Sequence, residues 1–294
     1  MGSCAPSWFN WFSLPNTMAT ALPHFIEQGT GDVAVFLLHG VGGSHAAWAR
    51  TVPVLAAAGY RCIAWDMPGY GSSPIAAPYT MAKLGESLLA LIAEVGADKA
   101  VLLGHSMGGM VAQQAVALQP GAIDGLILFA TSPAFAPPPK PGQSPEVAMQ
   151  WQKTFLDSRL APLDAGVGMA KLAGQLVSGM FAPDTPNKTA LVQATQMMAQ
   201  VPEATYRLAL SAITHFDQRA NLAHITVPTL CLAAELDKNA PPRVLQQMAS
   251  HIAGAEHACL GGSGHLANME QPDTFNACVL SFLQRHFSSV PQRV

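Results

Sequence analysis

A mostly parallel β-sheet covered by helices, interrupted once by a helical insertion, is the α/β architecture this sequence predicts. Apolar runs of strand length alternate with amphipathic helical stretches, the pattern of a parallel sheet with helices on its faces. The alternation then breaks at PAFAPPPKPGQSP, residues 133–145, which cannot continue a sheet. Composition agrees: of 294 residues, 50% are hydrophobic and 11% charged, enough for one large, well-filled core.

The first clear strand is Val33–His39 (VAVFLLH), β-rich and apolar, ending in the glycine turn Gly40-Val41-Gly42-Gly43. A helix is predicted over Trp48–Ala58 and a strand over Arg61–Asp66. Leu84, Leu88, Leu91, Ile92 and Val95 fall at helical spacing within Met81–Val95. A buried strand at Ala100–Gly104 leads to Ser106, followed by a helix over Gly109–Leu118 and a strand over Gly125–Ala130. Beyond the proline-rich break, helices are predicted at Val147–Leu156, Ala165–Val177, Thr189–Met198 and Ala204–Thr214. The sheet resumes at Val227–Ala234, with a helix at Pro242–Ile252, a weak strand at His257–Leu260 and a last helix at Thr274–His286. The resulting organisation is an extension over residues 1–24, a core of 25–133 and 220–294, and a helical lid of 134–219. An insertion of that length is typically placed over a site.

Several function classes are excluded by composition. The net charge of −3, from 15 basic and 18 acidic residues, leaves no electrostatic footprint for nucleic acid. Mean hydropathy is +0.24, yet no apolar stretch reaches membrane-spanning length. Cys4, Cys62, Cys231, Cys259 and Cys278 are scattered without CxxC spacing, so neither a disulfide framework nor a zinc site is expected. The N-terminus lacks a basic start followed by an apolar run, and with free thiols this points to the cytoplasm. Trp8, Phe9, Trp11 and Phe12 cluster in what reads as a loosely attached extension, with Met18 a candidate alternative start.

The chemistry is carried by Gly104-His105-Ser106-Met107-Gly108, a Gly-x-Ser-x-Gly placed between a strand and a helix. That context is the nucleophile elbow, a sharp turn that exposes the serine hydroxyl and leaves the Met107 amide free at a helix N-terminus. A serine nucleophile needs a base. Of ten histidines, His265 lies in the glycine-rich loop GGSGHL between the last strand and last helix, where its imidazole can swing toward the elbow. His39 and His105 flank glycines and read as backbone supports. The third member follows strand Val227–Ala234, in Glu235-Leu236-Asp237: Asp237 is the first choice and Glu235 the fallback, with Asp66 bracing an earlier turn. The order Ser106, Asp237, His265 differs from both protease orders. Oxyanion donors are expected from the Val41 and Met107 amides, with Gly42 the second choice for the loop. Gly42, Trp48, Trp151 and His215 are candidate pocket residues. Met149, Met169, Met180, Met197 and Met198 concentrate in the lid and suit an apolar substrate of loose shape. Lys140, Lys153, Arg159, Lys171, Lys188 and Arg207 are its cationic candidates, none singled out as a carboxylate clamp.

LLHGVGGS, AWDMPGYGSSP, GHSMGGMVAQ, VPTLCLAAELDKNAPP and GSGHLANMEQPDTFN, in that order, resemble the recurring motifs of the α/β-hydrolase superfamily. The resemblance covers about residues 25–286 and is nearest to 3-oxoadipate enol-lactonases and similar small-substrate hydrolases. It implies a sheet of eight strands, a helical cap, no cofactor or metal, and hydrolysis of a small ester or lactone through an acyl-enzyme. Dehalogenases and epoxide hydrolases of the superfamily carry Asp at the position of Ser106. The carbon–carbon hydrolases keep the triad and are the alternative. They usually carry an aromatic after the histidine and Gly-Pro-Gly in the oxyanion loop, where this chain has Leu266 and Gly42-Gly43-Ser44. A small-molecule receptor built on the same fold is the alternative from another class.

Overall fold

The computed structural model describes residues 21–136 and 144–287. The aromatic cluster at 8–12, Cys4 and Lys140 lie outside the described residues. Seven strands form one sheet in the order β1-β3-β2-β4-β5-β6-β7. They are β1 Phe25–Gln28, β2 Val33–Leu38, β3 Arg61–Trp65, β4 Lys99–His105, β5 Gly125–Phe129, β6 Thr229–Ala234 and β7 Glu256–Leu260. Only β1 runs antiparallel, pairing with β3. The strand count corrects the expected eight to seven among the described residues. The composition reading also missed β1, since FIEQ is short, half polar and mostly exposed, with no periodicity to betray it. Its Glu27 instead pairs with Arg61 of β3 at 2.6 Å.

The central strands are buried along their whole length because helices cover both faces. All six residues of β2, all five of β5 and all six of β6 are buried. Helix α1 (Val52–Ala57) connects β2 to β3, and α2 (Met81–Val95) and α3 (Met107–Leu118) follow β3 and β4. Right-handed crossovers place α1 on the face opposite α2 and α3, which pack on each other. Thr80 caps α2 by accepting the Lys83 amide at 3.2 Å, and Gly96, at φ +60°, ends it where no β-carbon is tolerated cheaply.

Four helices lie between β5 and β6: α4 Pro145–Asp164, α5 Met169–Leu176, α6 Lys188–Ala199 and α7 Glu203–Thr214. Helix α4 runs eight residues past its expected end at Leu156 and takes Pro162 into its last turn. After β6 and α8 (Pro242–His251), the chain closes with β7, the short α9 (Ala267–Glu270) and α10 (Pro272–Phe287). Helix α10 packs on α1 and on β7. Phe275 sits at the junction, fully buried, 4.8 Å from the Phe129 ring and 6.2 Å from Trp48. Phe275→Ala is expected to cost about 3–5 kcal/mol, the range for emptying an aromatic site in a packed core. Urea unfolding checks this, and a loss below ~1 kcal/mol would contradict the packing described.

Candidate active site

Parallel strands direct all their C-terminal ends to one edge of the sheet, and loops leaving that edge assemble the site. Ser106 follows β4, near the middle of the sheet, and begins α3 at φ +52°, ψ −118°. This strained backbone is tolerable only where neighbours are small. A β-carbon on Gly104 would come within 2.5 Å of the Gly109 Cα, and one on Gly108 within 2.2 Å of the Leu38 carbonyl oxygen. The turn is tied down from three sides. The Ser106 amide donates to the Phe129 carbonyl at 3.0 Å, its carbonyl accepts the Gly109 amide at 2.9 Å, and the Thr131 hydroxyl donates to the same carbonyl at 2.7 Å. As the first residue of α3, Met107 has an N–H without an intrahelical acceptor.

Asp237 and His265 leave the ends of β6 and β7 and meet at 2.7 Å, His265 Nδ1 donating to Asp237 Oδ2. Both are buried, at 4% and 6% exposure. The other oxygen of Asp237 accepts the amides of Asn239 (2.7 Å) and Ala240 (3.1 Å), which fixes the carboxylate. Glu235, the fallback, is exposed and accepts the Gly262 amide at 2.7 Å, shaping the loop that carries His265. Glu270 holds that loop from the opposite side: its carboxylate accepts the Gly264 amide at 2.7 Å and the Ala182 amide at 3.0 Å. The same contact fastens the helical insertion, where the Leu266 amide also reaches the Met180 carbonyl at 3.3 Å.

His39 and His105 support the backbone, and the structure shows how. His105 Nε2 donates to the His265 carbonyl at 2.9 Å. His39 Nδ1 donates to the Gly40 carbonyl at 2.8 Å, while its Nε2 accepts the Met67 amide at 2.9 Å. The Tyr70 hydroxyl donates to the Val41 carbonyl at 2.9 Å, so the loop after β2 is pinned on both sides. Burial pushes the His39 imidazole down to about 4 and His105 well below its ordinary value, so both stay neutral near pH 7.

Ser106 and His265 share one cavity with Val41, Gly42, His105, Leu266 and, from the insertion, Val177, Met180, Ala194, Met197 and Met198. The cavity is small, about 30 Å³ in volume. No Lys or Arg among the described residues lines it. Lys153 pairs with Asp157, Arg207 with Asp164 and Glu203, and Arg159 lies over the Phe155 ring.

This arrangement coincides with a family model described as the alpha/beta hydrolase fold, which matches residues 33–272. The chain belongs to the α/β-hydrolase fold family. A relative from Variovorax paradoxus, named as a carbamate hydrolase, RutD, is 30% identical over 275 residues, covering 89% of this chain and 96% of its own. The pimeloyl-(acyl-carrier protein) methyl ester esterase of Edwardsiella ictaluri is 29% identical, covering 86% and 94%. Among solved structures, the enol-lactonase from Burkholderia xenovorans LB400 superimposes with a TM-score of 0.76 at 25% identity, covering 89% of this chain and 96% of that one. No helix among the described residues is long and apolar enough to cross a membrane.

Three candidate pocket residues are not brought to this cavity. Trp48 closes a 3-10 turn that directs its ring inward, where it is fully buried beside Phe275. Trp151 faces outward on α4, 46% exposed, its ring 5.0 Å from Phe135. His215 follows α7 and turns back on it, Nδ1 donating to the Ser211 carbonyl at 2.9 Å. It lines a separate surface cleft of about 460 Å³ with Tyr79 and Asp217. Of the methionines, Met180, Met197 and Met198 reach the cavity, Met149 is exposed and Met169 is buried elsewhere. The buried pair of amides that Glu270 accepts was not anticipated; the acid of HLANMEQP was the available signal.

The neutral histidines make stability depend on pH. An unfolded imidazole protonates near 6.5, whereas folded His39 does so only near 4, so acid favours the unfolded chain. Stability is expected to fall as pH drops from about 6.5 to about 4, His39 alone accounting for roughly 3 kcal/mol of the loss. Urea unfolding between pH 7 and pH 4.5 measures this, and a flat profile would be the contrary result.

Proposed function

We propose that this carboxylic ester hydrolase cleaves small, uncharged esters or lactones with Ser106 as nucleophile, His265 as base and Asp237 as its orienting partner. The observation that carries the reading is the buried 2.7 Å Asp237–His265 bond beside a serine held at a strained turn, both facing one cavity. With Nδ1–H committed to Asp237, the lone pair of His265 is left on Nε2, the tautomer a base requires. Ser106 Oγ attacks the carbonyl carbon as His265 takes its proton. The oxyanion is held by the Val41 and Met107 amides. Collapse of the intermediate expels the alkoxide, which receives the proton from His265, and water activated by the same imidazole then releases the acid.

The substrate class follows from the lining. Among the described residues the lining beside Ser106, His105 and His265 is methionine, leucine, valine, alanine and glycine with no Lys or Arg, which offers little to offset the desolvation of a substrate carboxylate. The relatives include an ester esterase and the structural neighbours an enol-lactonase, which supports ester or lactone substrates. In this reading residues 134–219 act as a cap on a core of 25–133 and 220–294, with 1–24 an extension. The thiols of Cys62 and Cys231, free and buried, suit a cytoplasmic location.

Turnover of short and medium p-nitrophenyl esters and of simple lactones is the direct test. Ser106→Ala and His265→Ala should each lose at least ~10³-fold in kcat while keeping the wild-type far-UV spectrum. Full activity in either variant would remove the assignment. If wild type hydrolyses no ester or lactone but bleaches a yellow dienol ketone, carbon–carbon hydrolysis replaces it. Met198 presses its Cγ and Sδ toward Gly42, 3.2 Å from where a β-carbon there would stand. Met198→Ala should therefore shift the acyl-chain optimum toward longer chains, and an unchanged chain-length profile would show that Met198 does not bound the acyl site.

A further inference from the structure

We propose that His24, His45 and Asp66 form a site for one divalent cation of the zinc class, a staple that joins the start of β1, the end of the loop after β2 and the end of β3. His24 Nδ1 lies 2.9 Å from Asp66 Oδ2, and His45 Nδ1 lies 2.9 and 3.0 Å from the two carboxylate oxygens. One donor atom from each residue fits within a span of 4.8 Å. The two rings meet edge to face, centroids 5.6 Å apart. Two imidazoles and one carboxylate suit zinc, cobalt or nickel, whereas calcium and magnesium call for oxygen donors throughout.

The surroundings favour a site open on one side. Asp66 is almost wholly buried, with a side-chain exposure of 2%, while those of His24 and His45 are 41% and 33%. The carboxylate is therefore fixed and the imidazoles free to adjust, leaving the solvent side for a water as further ligand. Tetrahedral zinc with bonds of about 2.0–2.1 Å separates its donors by roughly 3.3 Å, so each imidazole–carboxylate separation must open by only a few tenths of an ångström, and the exposed imidazoles can turn to bring their nitrogens to the same spacing. The ion takes the place of the two Nδ1 protons that now bridge to Asp66. Supporting contacts remain when it does: the His45 amide donates to Asp66 Oδ1 at 2.9 Å, and Ser73 Oγ accepts the His24 amide at 2.8 Å and donates to the Asp66 carbonyl at 2.6 Å. Neither Lys nor Arg pairs with Asp66 among the described residues; the two imidazoles are its side-chain partners. Burial opposes ionisation of the carboxyl, yet bonds from His45 and His24 hold it below its ordinary value.

The test uses the full chain, stripped with a chelator and titrated with zinc chloride by calorimetry and with cobalt chloride by its visible d–d absorption. One equivalent should bind, with a rise in Tm. His24→Ala, at an exposed position, and His45→Ala should each weaken binding by about 10-fold or more and abolish the Tm rise. His265→Ala should leave binding unchanged, which separates this site from the proposed catalytic pair. The proposal is overturned by the absence of saturable binding, by binding that survives both His24→Ala and His45→Ala, or by binding lost only in His265→Ala.

Discussion

At Ser106 the chain passes from the central strand β4 into α3 through a backbone conformation that leaves no room around it. The Leu38 carbonyl, at the end of β2, stands where a side chain on Gly108 would be, and the Gly109 Cα stands where one on Gly104 would be. That crowding fixes β2, β4 and α3 relative to one another to within a fraction of an ångström. The loop that begins at the end of β2 is therefore placed beside the serine by packing alone. Thr131, from the segment after β5, completes the enclosure by bonding the Ser106 carbonyl. Asp237 and His265 hang from the ends of β6 and β7, strands ordered outward from this point.

Much of this arrangement could be read from sequence because it is local. A glycine two residues before and two after a serine, set between an apolar strand and a helix, specifies a turn whatever the rest of the chain does. The common edge of Asp237 and His265 was legible because each follows a strand by a few residues and the strands pair in parallel. The central strands, α2 and the helices of the insertion fall within a few residues of the predicted spans, with the end of α4 the main exception. What was not legible depends on rotation and on edges. Trp151 and His215 fall on the predicted elements, whereas Trp48 ends a short turn before α1 rather than beginning that helix, and the phase at which each faces the core is set by tertiary packing. Strand β1 escaped because an edge strand of four residues shows neither alternation nor a buried run. The His24, His45 and Asp66 cluster draws one residue from each of three segments, separated by 21 residues at each step, so no spacing motif announces it.

The buried histidines of the core beside the site bond to backbone rather than to one another. His39 spends both ring nitrogens on the backbone of the loop after β2 and of the turn at Met67. His105 spends one on the carbonyl of His265 and lays its ring 4.7 Å from that imidazole. Neutral, buried histidines here serve as fixed spacers between backbone segments, and their displaced ionisation is the thermodynamic mark of that service.

Glu270 gives the insertion an unequal attachment. One side of it, at Met180 and Ala182, is bonded to the loop that carries His265. Its other contribution to the cavity, Ala194, Met197 and Met198 of α6, meets the core through unbranched and small apolar side chains. Movement on the first side would disturb the His265 loop itself, and on the second side α6 is tied at its start, where Asn187 donates through Nδ2 to the Met269 and Glu270 carbonyls at 3.1 and 3.2 Å. The apolar residues of α6 that line the cavity are consequently distinct from Glu270 and Asn187, so packing beside Ser106 and polar attachment of the insertion are carried by different side chains.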